Sequence, residues 1–261
     1  MFNFWQTKNL INEADCEWMF ATFAYLLTHF DHEEFYQRSQ LIQPTDAFFP
    51  GQINDPKSMA TTVFNATLKY SGLQHWPFQL QHAPLFEKDN VPLLADNTSL
   101  MKRQSKQPLP SLSDTSMINI YYNPQQTTQP GDLAASFSHI LAQHLFLQSQ
   151  LQPLGGEALL AQNTEILAVT MGFGVMLSNS AYAFRGSCAR CFNPQAHRQA
   201  SLSEDKVIFA LALFCELKKI PNIEVTRHLK PYLRSLFKQA LKQIKQHPEK
   251  LAALSNLKKL Q

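Results

Sequence analysis

Residues 130–150 constrain the fold more than any other stretch of the chain. Pro130, Gly131 and Asp132 open it. Leu133, Phe137, Ile140, Leu141 and Leu145 then recur at the three-and-four spacing of a helix that buries one face. Asp132 is the expected N-cap, and the helix is expected to run to about Gln150. His139 and Gln143 stand four residues apart on one flank of this helix. His144 falls near the middle of the apolar stripe, so it reads as a core histidine.

The surrounding pattern is also helical. Only 8 glycines occur, which argues against a barrel or a glycine-rich nucleotide loop. Residues 12–40 read as a helix, with Asn12 able to cap and Trp18, Met19, Phe23, Leu26, Leu27 and Phe30 forming a stripe. A second helix is expected over 57–71, ended by Gly72. Short strands are expected at 77–82 and 117–122, the latter stopped by Asn123 and Pro124. Residues 87–114 are polar, hold three prolines and show no period, so they read as an exposed insertion.

A helix over 157–180 carries Gly172 and Gly174, which cost it stability unless a neighbour must approach closely there. Residues 180–201 read as irregular. Ser203, Glu204 and Asp205 start a helix to about Lys219, and Pro221 breaks it. Pro231 opens or kinks a further helix ending near Lys245, with a tail helix beyond Pro248. The expectation is one domain over 1–261, mainly α with a small β-sheet (α+β), with basic C-terminal helices over 221–261.

Charge and composition exclude some partners. The net charge of +3 is too weak to point to nucleic acid, and the lysines and arginines that crowd the end of the chain read as a solvated face. No uninterrupted apolar run suggests a membrane span, and Met1, Phe2, Asn3, Phe4 and Trp5 do not resemble a secretory signal. Four cysteines in 261 residues make no disulfide framework, so a reducing, cytoplasmic setting is expected.

The chemistry centres on the 130–150 helix. Two histidines four apart on a helix offer two nitrogen ligands to zinc, and a glutamate after the first polarises the metal-bound water. Here His139 and Gln143 hold the two ligand places, and Ile140 stands where that glutamate would be. Other landmarks follow in order. They are Asp46-Ala47-Phe48-Phe49-Pro50, His75-Trp76-Pro77 and the metal helix over 133–145. A Thr164-Glu165-Ile166-Leu167-Ala168-Val169-Thr170-Met171-Gly172-Phe173-Gly174-Val175 segment comes next, followed by Ser178-Asn179-Ser180. The series closes with Ser201-Leu202-Ser203-Glu204 and Ala210-Leu211-Ala212-Leu213-Phe214.

In that order the chain resembles a family of uncharacterised bacterial proteins with a zincin-like, metallopeptidase-like site. That family carries A-H-E-L-G-H, then T-D-L-L-T-V-x-x-G-x-G, then an A-L-A-L helix. The resemblance implies a zincin-like architecture in which His139 matches the first zinc ligand, Gln143 the second, Ile140 the catalytic glutamate and Glu165 a third ligand. Isoleucine cannot take a proton, and glutamine holds zinc poorly.

The implied protein is a catalytically inactive, vestigial member, a pseudoenzyme with no cofactor expected. It would act as a binding or structural protein toward an unidentified protein or peptide partner. The strand at 117–122 would receive extended peptide beside His139, Gln143 and Glu165. The alternative is a zinc-dependent hydrolase with a variant ligand set of His139, Glu165 and either Gln143 or His144. A third reading is a helical subunit docked through its basic C-terminal helices.

A secondary candidate metal set is Cys188, Cys191 and His197, in which the cysteines have CxxC spacing. Cys215 lies among Leu211, Leu213 and Phe214 and reads as core.

Overall fold

A computed structural model describes residues 9–30, 32–51, 53–82, 103, 117–181 and 198–257. Asn12 starts the first helix as expected, its side chain accepting the Asp15 amide at 2.8 Å. Helix α1 spans Glu13–His29 and buries Cys16, Met19, Phe20, Phe23, Leu26 and Leu27. The single helix expected over 12–40 is broken. Phe30 leaves helical geometry (φ −118°, ψ 74°), and α2 occupies His32–Gln37. The break serves two aromatic anchors on different neighbours, since Phe30 packs on Phe146 at 5.3 Å and Phe35 on Phe214 at 5.6 Å.

Helix α3 (Pro56–Ser71) begins in a capping box between Asp55 and Ser58 and ends at Gly72, whose φ of 74° closes the last turn. Strands β1 (Phe78–His82) and β2 (Ile118–Tyr122) pair in parallel, with Phe78 opposite Ile118 and His82 opposite Tyr122. Parallel strands require a long crossover, and residues 83–117 supply it. Of the stretch 87–114 only Arg103 is described. That residue is buried; its Nε donates to Ser71 O at 2.8 Å and its Nη2 to Ser39 Oγ at 3.1 Å.

Helix α4 spans Pro130–Gln148. It begins two residues before the expected cap. Pro130 is in the first turn and Gln129 is the N-cap, without a side-chain cap bond. A 3-10 turn at Pro124–Thr128 feeds straight into it, and the Leu133 amide already bonds Gln129 O at 3.0 Å. Asp132 therefore acts as a first-turn acid at the positive end of the helix.

The helix expected over 157–180 is segmented. A 3-10 turn (Glu157–Leu159) leads into α5 (Leu160–Ala168), a π-helical turn (Val169–Phe173) and α6 (Gly174–Ser180). Gly172 sits at φ 106° inside the π turn, and its carbonyl accepts the Ile42 amide at 3.0 Å. A Cβ there would lie 2.0 Å from Gln40 O, and one at Gly174 would lie 2.8 Å from Leu211 Cδ1. The two glycines thus mark close neighbours, as their sequence positions suggested. The run Glu157–Ser180 is long and apolar enough to cross a membrane by composition, but 78% of its apolar window is buried inside the fold.

Helix α7 (Glu204–Lys218) is enclosed along nearly its whole length. After the short α8 (Asn222–Thr226), α9 (Leu233–Ile244) packs on α7 through Leu233, Phe237, Ala240, Leu241 and Ile244. The exposed side of this helix and its end carry Arg234, Lys238, Lys242 and Lys245, the solvated basic face expected for this region. Helix α10 (Pro248–Asn256) follows.

Gln243 faces inward and clasps the start of the first helix. Its Oε1 accepts the Leu10 and Ile11 amides at 3.0 and 3.2 Å, and its Nε2 donates to Ile11 O at 2.9 Å. The fold is mainly helical with one small parallel sheet, an α+β arrangement.

Candidate functional site

The centre of the molecule is polar where α4, α5, α6 and the approach to α7 meet. Glu165 on α5 is fully buried. Its Oε1 accepts Arg198 Nη2 at 2.6 Å, while its Oε2 accepts the amides of Ser201 at 2.6 Å and Leu202 at 3.1 Å. Arg198 is buried too, and its Nε donates to Ser180 Oγ at 3.1 Å. One carboxylate thus ties α5 to α6 through the arginine, and ties both to the turn that launches α7. A buried charge is tolerated only when paired and hydrogen-bonded in this way.

His139 lies beside this clamp, and its charge is influenced by both Glu165 and Arg198. Burial pushes its imidazole down to about 4; the carboxylate opposes this and the guanidinium adds to it. The ring is therefore neutral near pH 7. Its Nδ1 is enclosed with no hydrogen-bond partner among the described residues.

Ile140, which the sequence resemblance sets against a catalytic glutamate, is partly buried and packs against the hydrophobic core. Gln143 is exposed one turn beyond His139. His144 belongs to another face. It is buried, its ring meets Phe78 of β1 edge-on at 5.5 Å, and burial alone pushes its pKa down to about 4. The reading of His144 as core therefore fits its surroundings.

The structure brings His139 and Glu165 into one neighbourhood and leaves Gln143 at the surface. Among the described residues, His139, His144 and Glu165 do not form a metal-binding cluster, in which three such ligand atoms lie within 4.8 Å of one another. Cys188, Cys191 and His197 lie outside the described residues. Cys215 is buried as expected, and burial pushes its thiol pKa strongly up.

Next to the clamp is a cleft of about 230 Å³ lined by Trp18, Leu159, Gln162, Ser201, Leu202 and Ser203, with Lys206 and Asp15 paired at 2.7 Å on its wall. It is large enough for a side chain or a chain end rather than a large cofactor. The residues that sequence reasoning missed are Arg198 and the amides of Ser201 and Leu202. They sit at the end of a stretch without hydrophobic period, 33 to 37 positions from Glu165, and nothing local marks them.

The chain matches no protein-family model, no curated protein and no solved structure.

Proposed function

We propose that this protein is a catalytically inactive, metallopeptidase-like pseudoenzyme. In this reading it works as a cytoplasmic binding or structural protein and engages a protein or peptide end rather than cleaving it. The observation that carries the reading is the engagement of Glu165. Both of its oxygens are taken by Arg198 and two backbone amides. The guanidinium supplies the positive charge that a bound cation would otherwise bring beside His139. A metal at His139 and Glu165 would have to displace a buried arginine, which is costly because it strands that charge.

Ile140 offers no proton acceptor, which removes the general base a zinc hydrolase needs. The cleft bordered by Ser201, Leu202 and Ser203 suits a peptide side chain or terminus, and β2, in a two-stranded sheet, is the strand an extended peptide would pair with. Cys16 and Cys215 are free thiols, which agrees with a reducing compartment.

Metal dependence at His139 tests the proposal. Wild type and His139→Ala are purified without chelators, and their metal content and peptidase activity toward a mixed peptide library are compared. The expected result is equal metal content and no cleavage by either. Metal lost in His139→Ala together with loss of a cleavage activity would establish the hydrolase alternative.

A further inference from the structure

A second cluster of ligand-type side chains lies away from the central clamp, where the start of α1 meets the turn before α10. One ligand atom each from Cys16, His247 and Glu13 (the Cys16 Sγ, an imidazole nitrogen and a carboxylate oxygen) lie within 4.8 Å of one another. Cys16 is fully buried in the first turn of α1, Glu13 is the first residue of that helix, and His247 immediately precedes Pro248. Sequence gives no hint of this meeting, because Cys16 and His247 are separated by 231 positions.

We propose that Cys16, His247 and Glu13 form a binding site for a zinc-class divalent cation that staples α1 to α10. Three observations carry it. The first is spacing. In a tetrahedral site with Zn–S of about 2.3 Å and Zn–N of about 2.0–2.1 Å, sulfur and nitrogen stand roughly 3.6 Å apart. The Sγ to Nε2 distance is 3.6 Å. The second is donor chemistry. A thiolate, an imidazole and a carboxylate match zinc and exclude the oxygen-seeking magnesium and calcium.

The third is the surrounding shell. Glu249 Oε1 lies 3.9 Å from His247 Nδ1, on the side of the ring away from the thiol. On closing to hydrogen-bond distance, a carboxylate there would hold the tautomer that leaves Nε2 free as a ligand. The ring is also held edge-on against Phe20 at 5.8 Å. Lys250 is a cation beside the cluster. It is paired with Glu17 and sits over the Phe20 ring at 5.7 Å, with Glu13 3.8 Å away. The bound ion would draw Glu13 from its looser contact with Lys250, while Glu17 retains that lysine.

The site is independent of His139, and so is its test. Cobalt(II) is titrated into the full chain carrying Cys188→Ser and Cys191→Ser, which removes the other thiol pair. The expected result is a thiolate-to-cobalt charge-transfer band saturating at one equivalent and displaced by zinc. Cys16→Ser abolishes the band, His247→Ala does the same, and Glu249→Gln weakens affinity on the order of 10-fold. Circular dichroism confirms that each variant remains folded, and His139→Ala retains the band. No band in the folded protein, or a band that survives Cys16→Ser, overturns the proposal and leaves a thiol–imidazole hydrogen bond.

Discussion

Arg198 Nη2 lies 2.6 Å from Glu165 Oε1, and both side chains are sealed from solvent. The pair joins a helix whose pattern is plain in the sequence to a segment with no pattern at all.

Breaking that pair from one side should be expensive. Glu165→Gln leaves a buried guanidinium without its counter-charge, and Arg198→Met leaves a buried carboxylate with two amides alone. Each is expected to destabilise by about 3–5 kcal/mol. The double variant should recover part of that loss, because neither charge is then stranded. Urea unfolding of the four proteins measures it, and simple additivity of the two single losses would contradict the coupling.

Acid should unfold the protein through two histidines. His139 and His144 hold pKa values near 4 in the folded state, below the ordinary 6.5, so the unfolded chain binds protons more readily. Their contribution is intact above pH 6.5 and is lost as pH falls from 6.5 to about 4, on the order of 3 kcal/mol per imidazole. His144→Leu, which places an apolar group beside Phe78, should flatten the pH dependence of the melting temperature over that window. An unchanged slope would show that His144 is not held neutral.

The glycines should rank in a definite order. Gly172→Ala faces a backbone oxygen at 2.0 Å and a φ of 106°, so a loss of about 3 kcal/mol or more is expected. Gly174→Ala meets side chains rather than backbone, Leu211 Cδ1 at 2.8 Å and Val169 Cγ1 at 3.3 Å, and about 1 kcal/mol is expected. Gly131→Ala, inside α4 with nothing within 4 Å, should stabilise by about 0.5–1 kcal/mol. Thermal melts of the three variants settle the order.

Hydrogen exchange should find β2 protected. Its residues pair in register with β1, and the Ile118 amide bonds Pro77 O at 2.8 Å. Rapid exchange of all amides from Ile118 to Tyr122 would remove the strand from any role in receiving peptide.

Much of this architecture is legible in the sequence because it is local. Asn12 and Gly72 announce helix ends through contacts spanning only a few residues. His144 is readable as core from its place in the α4 stripe. Gly172 and Gly174 declare that a neighbour comes close, although only the structure names Gln40 and Leu211. The break at Phe30 is hidden, because the apolar period continues through it while the aromatic rings choose different partners. Arg198 and His247 are invisible for a related reason. Each acts through a few distant contacts, and such contacts leave no periodic trace.

The clasp of Gln243 on Leu10 and Ile11 has a consequence for synthesis. The two partners are separated by 233 and 232 positions, so the beginning of α1 leaves the ribosome long before its hydrogen-bond acceptor exists. Those first residues must wait, docked loosely or held by a chaperone, until α9 emerges. The contact between these two segments therefore forms late, and a ribosome stalled short of residue 243 would hold a nascent protein still open at this seam.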